Sequence, residues 1–329
     1  MRREDSKTGM LRRPMPWLIA AVVAAFALLP AATGDVGLRE TLFLAALAIV
    51  LASNLNLMIG YTGYVNFGNV IFFGLGGYFG VWLATGHGWS LYPAALAAGL
   101  LVSAVALLFG AGILRLRGAY FALATIGVNE AVSAVVTNMD AWGGSTGMYI
   151  PLDAYQPLGG PRQALWIVYF LMIAVMAVSL LLSWGIRRSR FGLGLFAIRE
   201  DEDAALVMGV NPARFKAVIY STSAFLPAVA GALFFFKNGV IQPDQAFDLT
   251  FSTEAIVMLM LGGQGTVTGA ALGAFIYEYF RGYLLTSPLF SNFQLMVAGA
   301  LLLVIVLFVP GGLVGWMIDR WPRLRGAIE

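Results

Sequence analysis

The chain has no cysteine and one histidine, His87. A disulfide framework, a thiolate nucleophile and a cysteine metal site are thereby excluded, as is any paired-histidine metal site. Lysine is also scarce, with only Lys7, Lys216 and Lys237, and none follows a glycine, so no phosphate-binding P-loop exists. Charge is thin as well: Asp, Glu, Lys and Arg make up 11% of the residues, where soluble domains carry about 25%. Sixty per cent is hydrophobic and the mean hydropathy is +0.82, which places the chain among membrane proteins. The small positive balance, +3, then reads as topology and implies no nucleic-acid partner.

Apolar runs able to cross roughly 30 Å of hydrocarbon fall at 17–33, 40–59, 65–84, 91–113, 119–137, 164–184, 215–236, 250–263, 266–285 and 292–310. The expected fold is therefore all-α, a polytopic transmembrane bundle of about ten spans. The first run has an alternative reading as a signal peptide, since Arg12 and Arg13 precede it and "PAATG" ends it. With the N-terminus inside, the stretches 1–16, 114–118, 185–216 and 318–329 face the cytoplasm and hold sixteen of the twenty basic residues. Residues 1–16 read as a basic leader, 17–317 as the transmembrane domain and 318–329 as a cytoplasmic tail, so both termini lie inside. The loop 138–163 lies outside and 185–214 inside.

Glycine clusters in two places, "GYTGYVNFGNVIFFGLGGYFG" and "LGGQGTVTGAALGAF". Close helix packing accounts for many of these positions. The sharper reading makes Gly60, Gly63, Gly68, Gly262, Gly263 and Gly265 breaks in membrane helices, tolerated only when buried or lining a route. Asn54, Asn56, Asn66 and Asn69 surround the first break. Of the carboxylates within spans, Glu254 and Glu278 fall near helix ends, within reach of an interface, whereas Glu130 beside Asn129 is the deepest. Candidate pathway residues are Tyr61, Asn66, Asn129 and Glu130. His87, in a short loop, receives no role.

The stretch "RFGLGLFAIREDEDAALVMGV" (190–210) carries five consecutive charges, Arg199 to Asp203. Its residues spell a short helix ending near Arg199, a second one capped by Asp201, a stop at Gly209 and a turn at Asn211-Pro212. Covering lipid as an interfacial helix is the plain reading of such an element.

"SRFGLGLFAIREDEDAALVMGVNPARFK" (189–216) resembles the cytoplasmic signature of permease subunits of branched-chain amino acid ABC importers, the LivM type. "NLMIGYTGYVNFGNVIFFGLGGY" (56–78), "RLRGAYFALATIGVNE" (115–130), "GGSTGM" (143–148) and "LGGQGTVTGAALGA" (261–274) match further blocks of that family in order. Asn66, Phe67, Asn69, Leu193 and Gly194 depart from its usual residues. The resemblance implies a coupling element that docks on an ATPase, carried by Phe191, Gly192, Ile198, Arg199, Glu200, Asp201, Glu202, Ala205 and Gly209. It further implies a second permease subunit, two ATP-binding subunits, a periplasmic binding protein and a place in the inner membrane. The chain itself is then no enzyme and needs no cofactor or metal. Leucine, isoleucine or valine is the implied cargo, with urea or short-chain amides as the alternative. A self-sufficient proton-coupled carrier using Glu130 is the rival from another class.

Overall fold

The structure is a computed structural model that describes residues 14–286 and 311–321, with residues 296 and 299 besides. Helices α1 (Pro14–Thr33), α2 (Val36–Thr62), α3 (Asn69–Gly86), α4 (Leu91–Ile113) and α5 (Ala119–Thr137) are followed by α6 (Pro161–Arg188). Two short helices, α7 (Arg190–Glu200) and α8 (Glu202–Val207), lead into α9 (Pro212–Asn238). The last described elements are α10 (Pro243–Ala246), α11 (Leu249–Gly262), α12 (Val267–Thr286) and α13 (Gly312–Arg320).

Seven of these helices are long and apolar enough to cross a membrane, and α10–α12 adds an eighth if its bent halves count as one span. Nine of the ten expected runs fall within the described residues, which hold eight spans at most. The run 250–263 fails as an independent span because fourteen residues of α11 rise only about 21 Å at about 1.5 Å each. It turns into α12 through a bend of 118°, made by Gly263 and Gly265 at φ +114° and +80°. Such angles are open to glycine and strained for other residues. The expected span 292–310, nearly all of the leader 1–16 and most of the tail 318–329 lie outside the described residues.

Helix α2 is the axis of the bundle, with 94% of its apolar window buried. Asp35 starts it by accepting from Gly37 N–H (2.8 Å), and Gly63 ends it in the left-handed region. Against it pack α6, α9 and α12. One close crossing is α3 on α9: a Cβ on Gly76 would lie 2.1 Å from the Ala228 carbonyl oxygen. Backbones this near give dense packing that does not depend on a hydrophobic drive. Gly76→Val is expected to cost about 3 kcal/mol or more and to remove the monodisperse peak in size-exclusion chromatography; an unchanged peak would contradict this crossing.

The two bundle ends differ. One carries the C-terminal ends of α2, α4 and α6 with the N-terminal end of α9, and gathers Arg115, Arg117, Arg187, Arg188, Arg190, Arg199, Arg214 and Lys216. At the opposite end a two-residue antiparallel ladder joins β1 (Met148–Tyr149) to β2 (Val240–Ile241), and the Tyr155 hydroxyl donates to Phe236 O (2.8 Å).

Candidate coupling site at the basic end

The α7–α8 hairpin is built by caps. Ser189 accepts from Gly192 N–H (3.0 Å) to open α7. Gly192 is needed there, because a Cβ would lie 2.1 Å from the Ile186 carbonyl oxygen. Asp201 ends α7 in extended geometry and caps α8, accepting from Asp203 and Ala204 N–H, each at 2.9 Å. Val210 N–H bonds back to Ala205 O (3.0 Å) around Gly209, whose φ is +88°. Asn211 and Pro212 then start α9. The expected helix, cap, stop and turn all occur where the residues place them.

One face of the hairpin is anchored. Leu195, Ile198 and Ala205 are buried, and Phe191 stacks on Phe215 with centroids 4.8 Å apart. The other face is bare: Leu193 and Leu206 are exposed, and Val207 and Met208 stand 86% and 83% open. Glu200 and Asp201 are exposed beside them.

Glu202 turns inward instead. Lys216, 3% exposed, donates to Glu202 Oε1 (2.8 Å), to the Tyr64 hydroxyl (2.9 Å) and to Leu114 O (3.0 Å). Tyr64 in turn donates to Glu202 Oε2 (2.6 Å), and Arg117 Nε lies 3.5 Å from the same oxygen. Partial burial disfavours the Glu202 carboxylate, but the bonds from Lys216 and Tyr64 and the charges of Lys216 and Arg117 outweigh it, so its pKa is lowered. A lowered carboxylate pKa stabilises the fold above its unfolded value of about 4.3 and loses that effect as pH falls through the folded value. Arg117 also forks onto Asp203 at 3.0 and 3.3 Å, which lowers the Asp203 pKa and raises that of Arg117.

Two arginines, Arg199 of α7 and Arg187 near the end of α6, bond to main-chain oxygens at this end. Arg199 Nη1 donates to Gly60 O (2.7 Å), and Arg187 Nη1 donates to Gly265 O. Asn56 completes the junction, accepting from Gly265 N–H (2.8 Å) and donating to Thr266 O (3.0 Å). Gly60 is helical, which corrects its reading as a break: it is small because a Cβ would lie 2.6 Å from Gly265 N. The first break runs from Gly63 to Gly68 and the second from Gly263, just after Gly262 closes α11, through Gly265. Both meet the hairpin at the basic end.

The four expected pathway residues do not share one place. Tyr61 is fully buried against α6, donating to Ser183 O (3.1 Å). Asn66 closes a local turn, accepting from Gly68 N–H (3.0 Å), and Asn129 donates to Phe247 O (2.9 Å). Glu130 faces outward from α5 with Tyr120 and Leu123. Asn66 Nδ2, Asn69 Oδ1, Asn129 Oδ1 and the Tyr78 hydroxyl are buried with no hydrogen-bond partner among the described residues.

Sequence reasoning gave no role to Lys216, Tyr64, Arg117 or Arg187, and placed Asn56 only as one of the amides around the first break. Only the rarity of lysine in this chain marks Lys216 in advance.

The sequence matches the family described as branched-chain amino acid transport system, permease component, over residues 37–306. The high-affinity branched-chain amino acid transport system permease protein LivM of Escherichia coli is 26% identical over 304 residues, covering 85% of this chain and 71% of that protein. Its counterpart in Salmonella typhimurium is 26% identical over 288 residues, 80% and 67% of the two chains. The ribose import permease protein RbsC of Bacillus subtilis is 32% identical over 148 residues, 42% of this chain and 46% of that protein. No solved structure matches.

Proposed function

The chain belongs to the family of branched-chain amino acid transport permease components, and from that premise we propose that it is one membrane subunit of an ATP-driven importer whose α7–α8 hairpin receives the stroke of a separate ATPase. It is a multi-pass protein of the inner membrane and a transport component, with ATP hydrolysis assigned to partner subunits. The observation that carries the reading is the hairpin itself. Its outer face is apolar and unanchored, while its inner face is bonded to Tyr64 in the first glycine-rich break and to Gly60 of α2. A push on Val207 and Met208 therefore reaches the ends of α2, α4, α6 and α9 and the 263–266 turn through short polar contacts.

The substrate we propose is leucine, isoleucine or valine. Relatives named for these amino acids cover most of the chain, whereas the ribose relative covers 42% of it. A second permease subunit, two ATPases and a periplasmic binding protein complete the proposed assembly. The buried unpartnered atoms of Asn66, Asn69, Asn129 and Tyr78 support a hydrated route along the α3–α5 seam, since such atoms are costly without a water or solute partner.

The test is co-purification with the products of neighbouring genes, followed by uptake of labelled leucine and urea into proteoliposomes. ATP-dependent leucine uptake that needs the ATPase supports the reading. Uptake of urea alone would reassign the cargo, and uptake by this chain alone under a proton gradient would overturn the importer.

A further inference from the structure

Helix α5 carries a charge within its apolar stretch. Glu130 sits seven residues before Thr137, the last of α5, about 10 Å short of the outer end at about 1.5 Å per residue. Its side chain is exposed, and among the described residues it has no ion pair or hydrogen bond. The inner face of α5 fixes this orientation: Asn129 donates to Phe247 O (2.9 Å), and Thr125 Oγ1 accepts from Phe67 N–H (3.2 Å). A short carboxylate at that depth cannot reach water as a long basic side chain does, and facing lipid it is costly.

The residues around Glu130 are small. At 3.6 residues per turn, Leu123, Gly127, Ala131 and Ala134 share its face, and all four are exposed. A Cβ on Gly127 would meet nothing within 4 Å. Glycine inside a helix is destabilising relative to alanine, so its smallness here serves no contact within the chain. An apolar groove of about 820 Å³ continues the face onto α4, lined by Leu108, Gly112, Ala131 and Val135 among others. Gly112 is open in the same way as Gly127. The rest of the α4 surface is different: Leu96, Leu100, Leu101 and Leu107 are exposed there, a face suited to lipid. Small residues on a membrane helix let another backbone come close.

We propose that the Glu130 face of α5 seats a transmembrane helix of a different membrane subunit, one that presents a cationic or amide side chain at the level of Glu130. Charge complementarity selects that occupant. An isologous contact with a second copy through this face would set Glu130 against Glu130, and like charges in a low dielectric repel. Lipid gives the carboxylate no donor. A donor on a foreign helix satisfies Glu130, while Gly127, Ala131 and the groove take the backbone and apolar side chains beside it. The proposal rests on the importer reading, which supplies such a subunit, and adds where on this chain it sits.

The experiment uses the full chain co-expressed and purified with the products of its neighbouring genes. Benzoylphenylalanine takes the place of Leu123 on the Glu130 face or, as a control, of Leu100 on the leucine face of α4. After irradiation, adducts are identified by peptide mass spectrometry. Position 123 is expected to capture a different membrane-spanning subunit of the complex, and position 100 lipid alone. Capture at position 123 of a second copy of this chain or of lipid alone, or equal capture of protein at both positions, overturns the seat. Glu130→Lys is expected to lower retention of that subunit at least tenfold, and Glu130→Gln far less, since an amide still accepts a hydrogen bond. Wild-type retention by folded Glu130→Lys overturns the part given to the carboxylate; if that variant does not fold, the cross-link decides alone. ATP-driven leucine uptake on the same preparation separates the two ideas: uptake without the cross-link removes the seat and leaves the importer standing, and the cross-link without uptake does the reverse.

Discussion

Charging the tip of the hairpin, by Val207→Asp with Met208→Asp, is expected to lower ATP-driven uptake at least tenfold while the subunit stays inserted and folded. Both side chains project outward, touch none of the inward network and lie past the Asp201 cap, so their replacement costs the isolated subunit little. On an ATPase they become the anchor of a contact, where burying a carboxylate without a partner costs several kcal/mol. ATPase co-purification and uptake should fall together. Retained uptake would remove the hairpin from the coupling route. The pair Glu200→Lys with Asp201→Lys is a weaker probe, because Asp201 caps α8 and its loss alone costs about 1 kcal/mol.

The second large effect concerns Lys216. Lys216→Met is expected to destabilise the chain by about 3–5 kcal/mol, because Glu202 is then left within the protein without its main cation. In detergent the melting temperature should drop by several degrees. The double variant Lys216→Met with Glu202→Gln should recover part of that loss, since removing both partners leaves no stranded charge. Equal melting of the wild type and Lys216→Met would show that Arg117 and Tyr64 hold Glu202 unaided.

The hairpin was readable in the sequence because caps are local. Asp201 with two following acids, Gly209, and Asn211-Pro212 act within four residues of themselves, and the structure uses each one as the pattern indicates. The bundle ends were readable for a similar reason, as basic residues cluster in short connections. Helix number was overstated because hydropathy scores the α11 and α12 runs alike and is blind to the reversal at Gly263 and Gly265. Gly60 shows another limit. A glycine that ends a helix and a glycine that admits a neighbouring backbone look the same in one sequence, and only the approach of Gly265 separates them. The Lys216–Tyr64–Glu202 network joins residues up to 152 positions apart, and no spacing rule connects them.

The two arginine ties end on main-chain oxygens: Arg199 on Gly60 and Arg187 on Gly265. A peptide carbonyl is present whatever side chain evolution places there, so neither tie has a partner residue that could change in step with it. Relatives sharing this joint would display Arg199 as invariant with no side chain at position 60 changing in step with it. Paired-substitution signals would then trace Lys216 to Glu202 and Arg117 to Asp203 while passing over the link from the hairpin to the main chain of α2.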